Sequence, residues 1–239
     1  MRFLLMTDIE GVTGVTTYPQ AETSQFGRDM LMNDLLAVIR GIRNTGNHEI
    51  VVYDMHTDGR NVQLEMLGGD VQVVCGKPIT PEKYKGLGGG FDGLFMIGLH
   101  AMARVPGALL AHSYQLSYDS IHINGELVGE IGVETMLAGE QGFPLVFVCG
   151  DDMGCEEAQR LVPGVVTAAV KKSLGENQAL CLTPCRTAVL LEQMAAKAVE
   201  NVGIPQAKCV GEDIELRVAF SEGKHLDAIR KLHPELMTE

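Results

Sequence analysis

The sequence predicts an α/β fold, with a mainly parallel twisted sheet flanked by helices and a less regular α+β part toward the C-terminus. Two observations carry this. Through the first 150 positions, short apolar or β-branched runs alternate with segments of helical spacing, the pattern of βα units around a parallel sheet. The chain is also large enough, at 239 residues and 46% hydrophobic, to bury the core of one large α/β domain or two small ones.

The elements follow in order. Arg2–Met6 is a first strand, ending at Thr7-Asp8. Arg28–Arg43 carries Met32, Leu35, Leu36, Ile39 and Ile42 at helical spacing, and Thr45-Gly46-Asn47 stops it. Glu49–Tyr53 is a strand, Asn61–Leu67 a short helix closed by Gly68-Gly69, and Val71–Cys75 another strand. A glycine-rich turn at Gly86–Gly90 leads into the strand Gly93–Ile97. Ser120–Ile123 and Leu127–Val128 flank Asn124-Gly125, a strong hairpin signal. Gly129–Ala138 reads as a helix, Leu145–Cys149 as a buried strand and Cys155–Leu161 as a short helix. Thr183-Pro184 places a cap before a first-turn proline and opens a helix to about Asn201. Ile214–Phe220 is a strand and Leu226–Leu232 a last helix. A division near residue 150 would separate a 1–150 α/β core from a 151–239 C-terminal α/β portion, although no linker-like composition marks it and the two could form one domain.

Composition excludes several classes. The formal charge of −12 argues against a nucleic-acid surface and against docking on anionic lipid. The longest apolar runs, such as Leu94–Leu99, fall far short of the ~18 residues a membrane span needs. MRFLLMTDIE lacks the ~7–15-residue apolar stretch of a secretory signal. Cysteines 75, 149, 155, 181, 185 and 209 form no CxxC pair, so reduced thiols in a cytoplasmic protein are expected. Gly88-Gly89-Gly90 precedes a strand and lacks the phosphate-loop pattern, and Ser113 lacks the GxSxG elbow of a hydrolase nucleophile.

The informative feature is where polar residues fall. Asp8 and Glu10 follow the first strand, Asp54 and His56 the second, His100 the run Gly93–Leu99, and Asp151 and Asp152 the strand Leu145–Cys149. Ligands of open parallel sheets bind outside the carboxyl ends of strands, so adjacent strands would bring these side chains to one spot. Each also has an ordinary explanation. Asp8 serves as well as a turn or cap residue, and Glu10 as a solvated charge. His56, His100 and His112 read equally as hydrogen-bonded structural histidines, and Glu130 as a first-turn carboxylate favoured by the helix dipole. Taken together, imidazole and carboxylate suit zinc, and also manganese or cobalt. Five ligands exceed what one catalytic zinc uses, and with a bridging Asp they fit two ions. Asp54, Asp151 and Asp152 are candidates to hold a substrate ammonium, or simple caps.

The opening MTDIEGVTGV resembles the S-x-D-x-E-G signature of the DppA-type D-aminopeptidases, which are binuclear zinc metallopeptidases. The resemblance continues in order through VVYDMHTDGRN, FMIGLHAMARVPGALLAHS, INGELVGEIG, VFVCGDD and LVPGVVTAAVKKSLGENQALCLTP, and covers most of residues 1–190. It implies an α/β fold and metal ligation by Asp8, Glu10, His56, His100 and Glu130. It implies a catalytic role for His112 as base, nucleophile or oxyanion donor. It also implies a cytoplasmic homo-oligomeric ring, and hydrolysis of the N-terminal bond of short peptides or amides, D-residues preferred, by a metal-bound hydroxide. Thr7 departs mildly from the pattern, and the interval from His100 to His112 is one residue longer than the pattern has, with Arg104 inside. Measured against the pattern, a further strand and helix would follow where the chain stops at Glu239. A two-metal phosphoesterase and a metal-free binding or structural subunit are the competing readings. The first lacks Arg or Lys beside the ligands other than Arg60 and Arg104.

Overall fold

A computed structural model describes residues 1–77, 87 and 89–238. Seven strands form one sheet in the order β3-β2-β1-β4-β7-β8-β9. These are β1 (Arg2–Thr7), β2 (Glu49–Asp54), β3 (Val71–Val74), β4 (Gly93–Leu99), β7 (Leu145–Asp151), β8 (Val166–Gly175) and β9 (Gln178–Cys181). All neighbours pair in parallel except β9, which runs antiparallel to β8. The sheet continues through residue 150, because β8 pairs with β7 in register Phe147↔Val166. A second, antiparallel sheet has the order β10-β5-β6, from β5 (Tyr118–Ile123), β6 (Glu126–Val128) and β10 (Leu216–Phe220). The β5–β6 turn is Asn124-Gly125, both with positive φ (51° and 80°), as a type I′ hairpin requires.

The central strands β1, β2, β4 and β7 are buried on both faces, which is why they are largely apolar. Along β1, Phe3 and Leu5 join one core while Leu4 and Met6 join the other. The first core is covered by α2 (Gln25–Arg43) through Leu31, Leu35 and Ile39, and by α5 (Pro184–Glu200) through Leu191 and Ala195. The second is covered by α3 (Glu130–Glu140) and α4 (Asp152–Leu161) through Ile131, Ala138, Ala158 and Leu161. Gly41 lets the two outer helices touch, since a Cβ there would meet the Glu192 carbonyl.

Four elements differ from the sequence reading. Asn61–Leu67 is not a helix. Gln63 is extended (φ −84°, ψ 95°), so only Leu64–Met66 makes a 3₁₀ turn. The hairpin strands β8 and β9 and the short helix α1 (Tyr18–Glu22) were not anticipated. The turn expected at Gly86–Gly90 lies partly outside the described residues; within it, Gly89 and Gly90 have positive φ. The last helix, α6, spans Lys224–Leu232. Among the described residues no helix is long and apolar enough to cross a membrane.

Candidate metal centre

The order β2-β1-β4 puts three polar strand ends side by side. The Asp8 N–H still bonds to the Ile97 carbonyl of β4 (2.8 Å), and the Met55 N–H to the Thr7 carbonyl of β1 (3.1 Å), so pairing carries on to the ligand positions. Beyond Asp8 the chain turns back against β4. The Gly11 N–H donates to the Gly98 carbonyl at 2.7 Å, and a Cβ on Gly11 would collide with the Leu99 carbonyl. Gly98 has φ +78° and its own Cβ would strike the Asp8 carbonyl. Glycine at both positions is thus what allows Asp8 and His100 to approach.

Two buried charges fasten this turn. Lys171 on β8 gives its three protons to the carbonyls of Glu10 (2.6 Å), Val12 (2.9 Å) and Val15 (2.5 Å). Asp34 on α2 accepts from the Thr13 N–H and hydroxyl. Burial draws the Lys171 ammonium down to about 8, against the pull of Asp151 and Asp34. Burial likewise pushes the Asp34 carboxyl up to about 6, although its hydrogen bonds oppose the shift.

All five expected ligands meet here, each at most 7% exposed. Asp8 faces two ways. Its Oδ1 lies 2.8 Å from His56 Nδ1, which is also 3.2 Å from Glu10 Oε2. Its Oδ2 lies 3.4 Å from His100 Nε2, which is 3.3 Å from Glu130 Oε1. Glu130 comes from the first residue of α3, outside the main sheet. His112 lies in the loop between β4 and β5 and stacks on His100, with centroids 4.0 Å apart and planes at 9°. Asp8, Glu10 and His100 each bring a donor atom within 4.8 Å of the others, and so do His100, His112 and Glu130, groupings that can hold a metal ion.

The electrostatics fit a cation. Burial works against ionising Asp8, but hydrogen bonds and charge from His100 and His56 outweigh it and hold its carboxyl well below the usual range. Burial disfavours the His56 cation, yet Asp8 and Glu10 raise its pKa to about 11. His100 is likewise raised well above its usual value by Asp8 and Glu130, against burial. Among the described residues, His56 Nε2 is buried without a partner, and Glu10 Oε2 and His100 Nε2 have none beyond the 3.2–3.4 Å contacts given above. The other nitrogen of His100 donates to the Ala101 carbonyl at 2.9 Å, which fixes Nε2 toward Asp8 as metal-binding histidines are commonly fixed.

The neighbouring acids do other work. Asp54 accepts from the N–H groups of Asn61 and Val62, Asp151 caps α4 through the Gly154 N–H (2.7 Å), and Asp152 accepts from the Ser173 N–H (2.8 Å). These three, candidates for an ammonium site in the sequence, serve as anchors. A cavity of about 600 Å³ opens beside the centre, lined among others by Tyr18, Glu22, Lys77, Tyr114, Glu134 and His225. Sequence reading missed Glu134, although its i+4 spacing from Glu130 puts both on one helix face. The Tyr114 N–H bonds to Glu130 Oε1 (2.7 Å) and its hydroxyl to Glu134 Oε1 (2.9 Å). Among the described residues, four of the five non-glycine residues with positive φ, Thr57, Arg104, Leu110 and Tyr114, flank the histidines, as strained backbone tends to do at functional sites.

Comparison with known proteins shows the family to which the chain belongs. A family profile described as D-aminopeptidase matches residues 1–234. The D-aminopeptidase of Bacillus subtilis (strain 168) is 30% identical over 205 residues, covering 84% of this chain and 74% of the relative. A solved structure described as the Zn-dependent D-aminopeptidase DppA from Bacillus subtilis, a self-compartmentalizing protease, superposes with a TM-score of 0.90 at 26% identity. It covers 98% of this chain and 86% of the other. With the profile spanning nearly the whole length, the chain belongs to the D-aminopeptidase family, a family of hydrolases.

Proposed function

We propose that the protein is a metal-dependent aminopeptidase that releases the N-terminal residue of short peptides or amides, with D-residues preferred. The observation that carries the reading is the pair of donor sets meeting at the two oxygens of Asp8. Asp8, Glu10 and His56 would hold one zinc ion and Asp8, His100 and Glu130 a second. The buried His56 Nε2 without a partner, and Glu10 Oε2 and His100 Nε2 with only long contacts, support the fit, as do the mixed imidazole and carboxylate donors and the zinc dependence of the B. subtilis relative. When bound, two such ions supply Lewis-acid activation of a water and of the substrate carbonyl.

The chain's own groups do the rest. The carboxylates of Asp8, Glu10 and Glu130 favour the imidazolium forms of His56 and His100, so a bound cation would take the place of protons there. His112 donates its Nδ1 proton to the Leu110 carbonyl at 2.9 Å, so the neutral ring presents the Nε2 lone pair on the Glu130 side. That tautomer suits a general base or nucleophile better than an oxyanion donor. Glu22 and Glu134 line the cavity beside Lys77 and Lys224, and either carboxylate offers a partner to a substrate's free ammonium. Handedness of the substrate rests on family membership. Self-compartmentalization of the relative supports a homo-oligomer here, as do exposed apolar side chains such as Leu180, Val189 and Leu216. Six unbridged cysteines fit a cytoplasmic setting.

The test is a matched set with zinc supplied: D-alanyl and L-alanyl p-nitroanilide, their N-acetylated forms and a phosphate monoester. Turnover of the D-compound and rejection of the acetylated one is expected. Equal turnover of the two enantiomers removes the D-preference, and turnover of the phosphate ester alone overturns the reading.

A further inference from the structure

Glu157 sits in the middle of α4, is buried, and has no place in the chemistry above. Its two carboxylate oxygens divide between two segments far apart in sequence. Oε1 accepts the Gly129 N–H and Oε2 the Met102 N–H, both at 3.1 Å. Gly129 immediately precedes Glu130, and Met102 follows His100 by two residues. The segments touch at this point, since a Cβ on Gly129 would run into the Met102 side chain.

We propose that Glu157 is a positioning residue for the His100–Glu130 side of the centre, its carboxylate tying the two ligand-bearing segments together so that His100 Nε2 and Glu130 Oε1 present as a pair. The inference rests on the metal reading above and concerns that side alone: Asp8, Glu10 and His56 are held by β1, β2 and Lys171. Two N–H donors need two acceptors. Glu157→Gln keeps the size of the side chain but turns an NH₂ toward one of those donors, and so releases one segment. Burial raises the carboxyl's pKa, and the hydrogen bonds from Met102 and Gly129 act against that shift.

The experiment is a Zn²⁺ titration of the full-length protein against a chromophoric chelator, with thermal melting alongside. The proteins are wild type, Glu157→Gln and Leu161→Ala. Leu161 is a buried residue one turn further along α4 whose side chain lies beside Gly132 of α3, so its truncation loosens the packing of the same two helices while leaving the Glu157 carboxylate in place. Wild type should bind two ions. Glu157→Gln should weaken one of them by about 10–100-fold, the usual cost of losing a partner that orients metal ligands, and leave the other unchanged. Leu161→Ala should lower the melting temperature yet keep both affinities. Unchanged affinities in Glu157→Gln, equal weakening of both ions, or the same selective loss in Leu161→Ala would overturn the proposal. A wild-type protein that takes up no zinc would overturn the metal reading and this proposal with it.

Discussion

Asp8, Glu10 and His56 leave the ends of two neighbouring parallel strands, whereas Glu130 and His112 come from a helix start and an irregular loop outside the main sheet. On the first side, backbone pairing continues to Asp8 and Met55, and Lys171 and Asp34 hold the following turn. On the second, His100 alone stands on the sheet, and Glu130 reaches it because Glu157 binds the backbone just before it and the Tyr114 N–H binds its carboxylate. The first side is positioned by the sheet, the second by side chains that cross between segments. Asp8 belongs to both, one oxygen to each.

This difference yields graded effects. The largest outside the ligands belongs to His112, which stands on the cross-linked side but makes its one hydrogen bond to its own loop. His112→Ala should lower the rate by about 10²–10⁴-fold, the range for losing a positioned acid–base group, with zinc content unchanged. Loss of zinc in that variant would make His112 a ligand, which its distance to Glu130 allows (3.7 Å), and would redraw the second side.

A smaller effect probes the sheet-held side. Asp34 titrates at about 6 when folded, against 3.8 in its absence of burial, so between those values the folded chain binds the extra proton. The charged form is therefore a cost that is complete above pH 6 and absent below pH 3.8. Denaturation of wild type and Asp34→Asn across this range should show the wild-type advantage shrinking as pH rises from 4 to 6, by roughly 3 kcal/mol at most. An advantage that grows with pH would mean that the nearby Lys171 charge governs Asp34, and that the turn is held by an ion pair.

The two sides also differed in how far they could be read from sequence. Asp8, Glu10, His56 and His100 were legible because each follows an apolar run, and strand ends of parallel sheets are where ligands collect. Adjacency of β2, β1 and β4 was not legible, since register and strand order are set by packing over the whole sheet. Glu130 read equally well as a first-turn carboxylate, and only the folded hairpin and α4 bring it to His100. Glu157, Lys171 and Glu134 gave no signal of their own. A charged residue inside a helix or strand reads as solvated until the fold buries it, and all three are at most 5% exposed. The expected helix at Asn61–Leu67 failed for a related reason: Asp54 takes the Asn61 and Val62 N–H groups and the chain runs extended through Gln63.

The central claim is that Asp8 joins two metal-holding sides. Elemental analysis of zinc-supplied wild type and Asp8→Asn tests it most directly. The account predicts about two zinc ions per chain in wild type and loss of both in the variant, because only a shared ligand serves both ions. A wild-type protein without zinc, or an Asp8→Asn variant that holds as much as wild type, would contradict it.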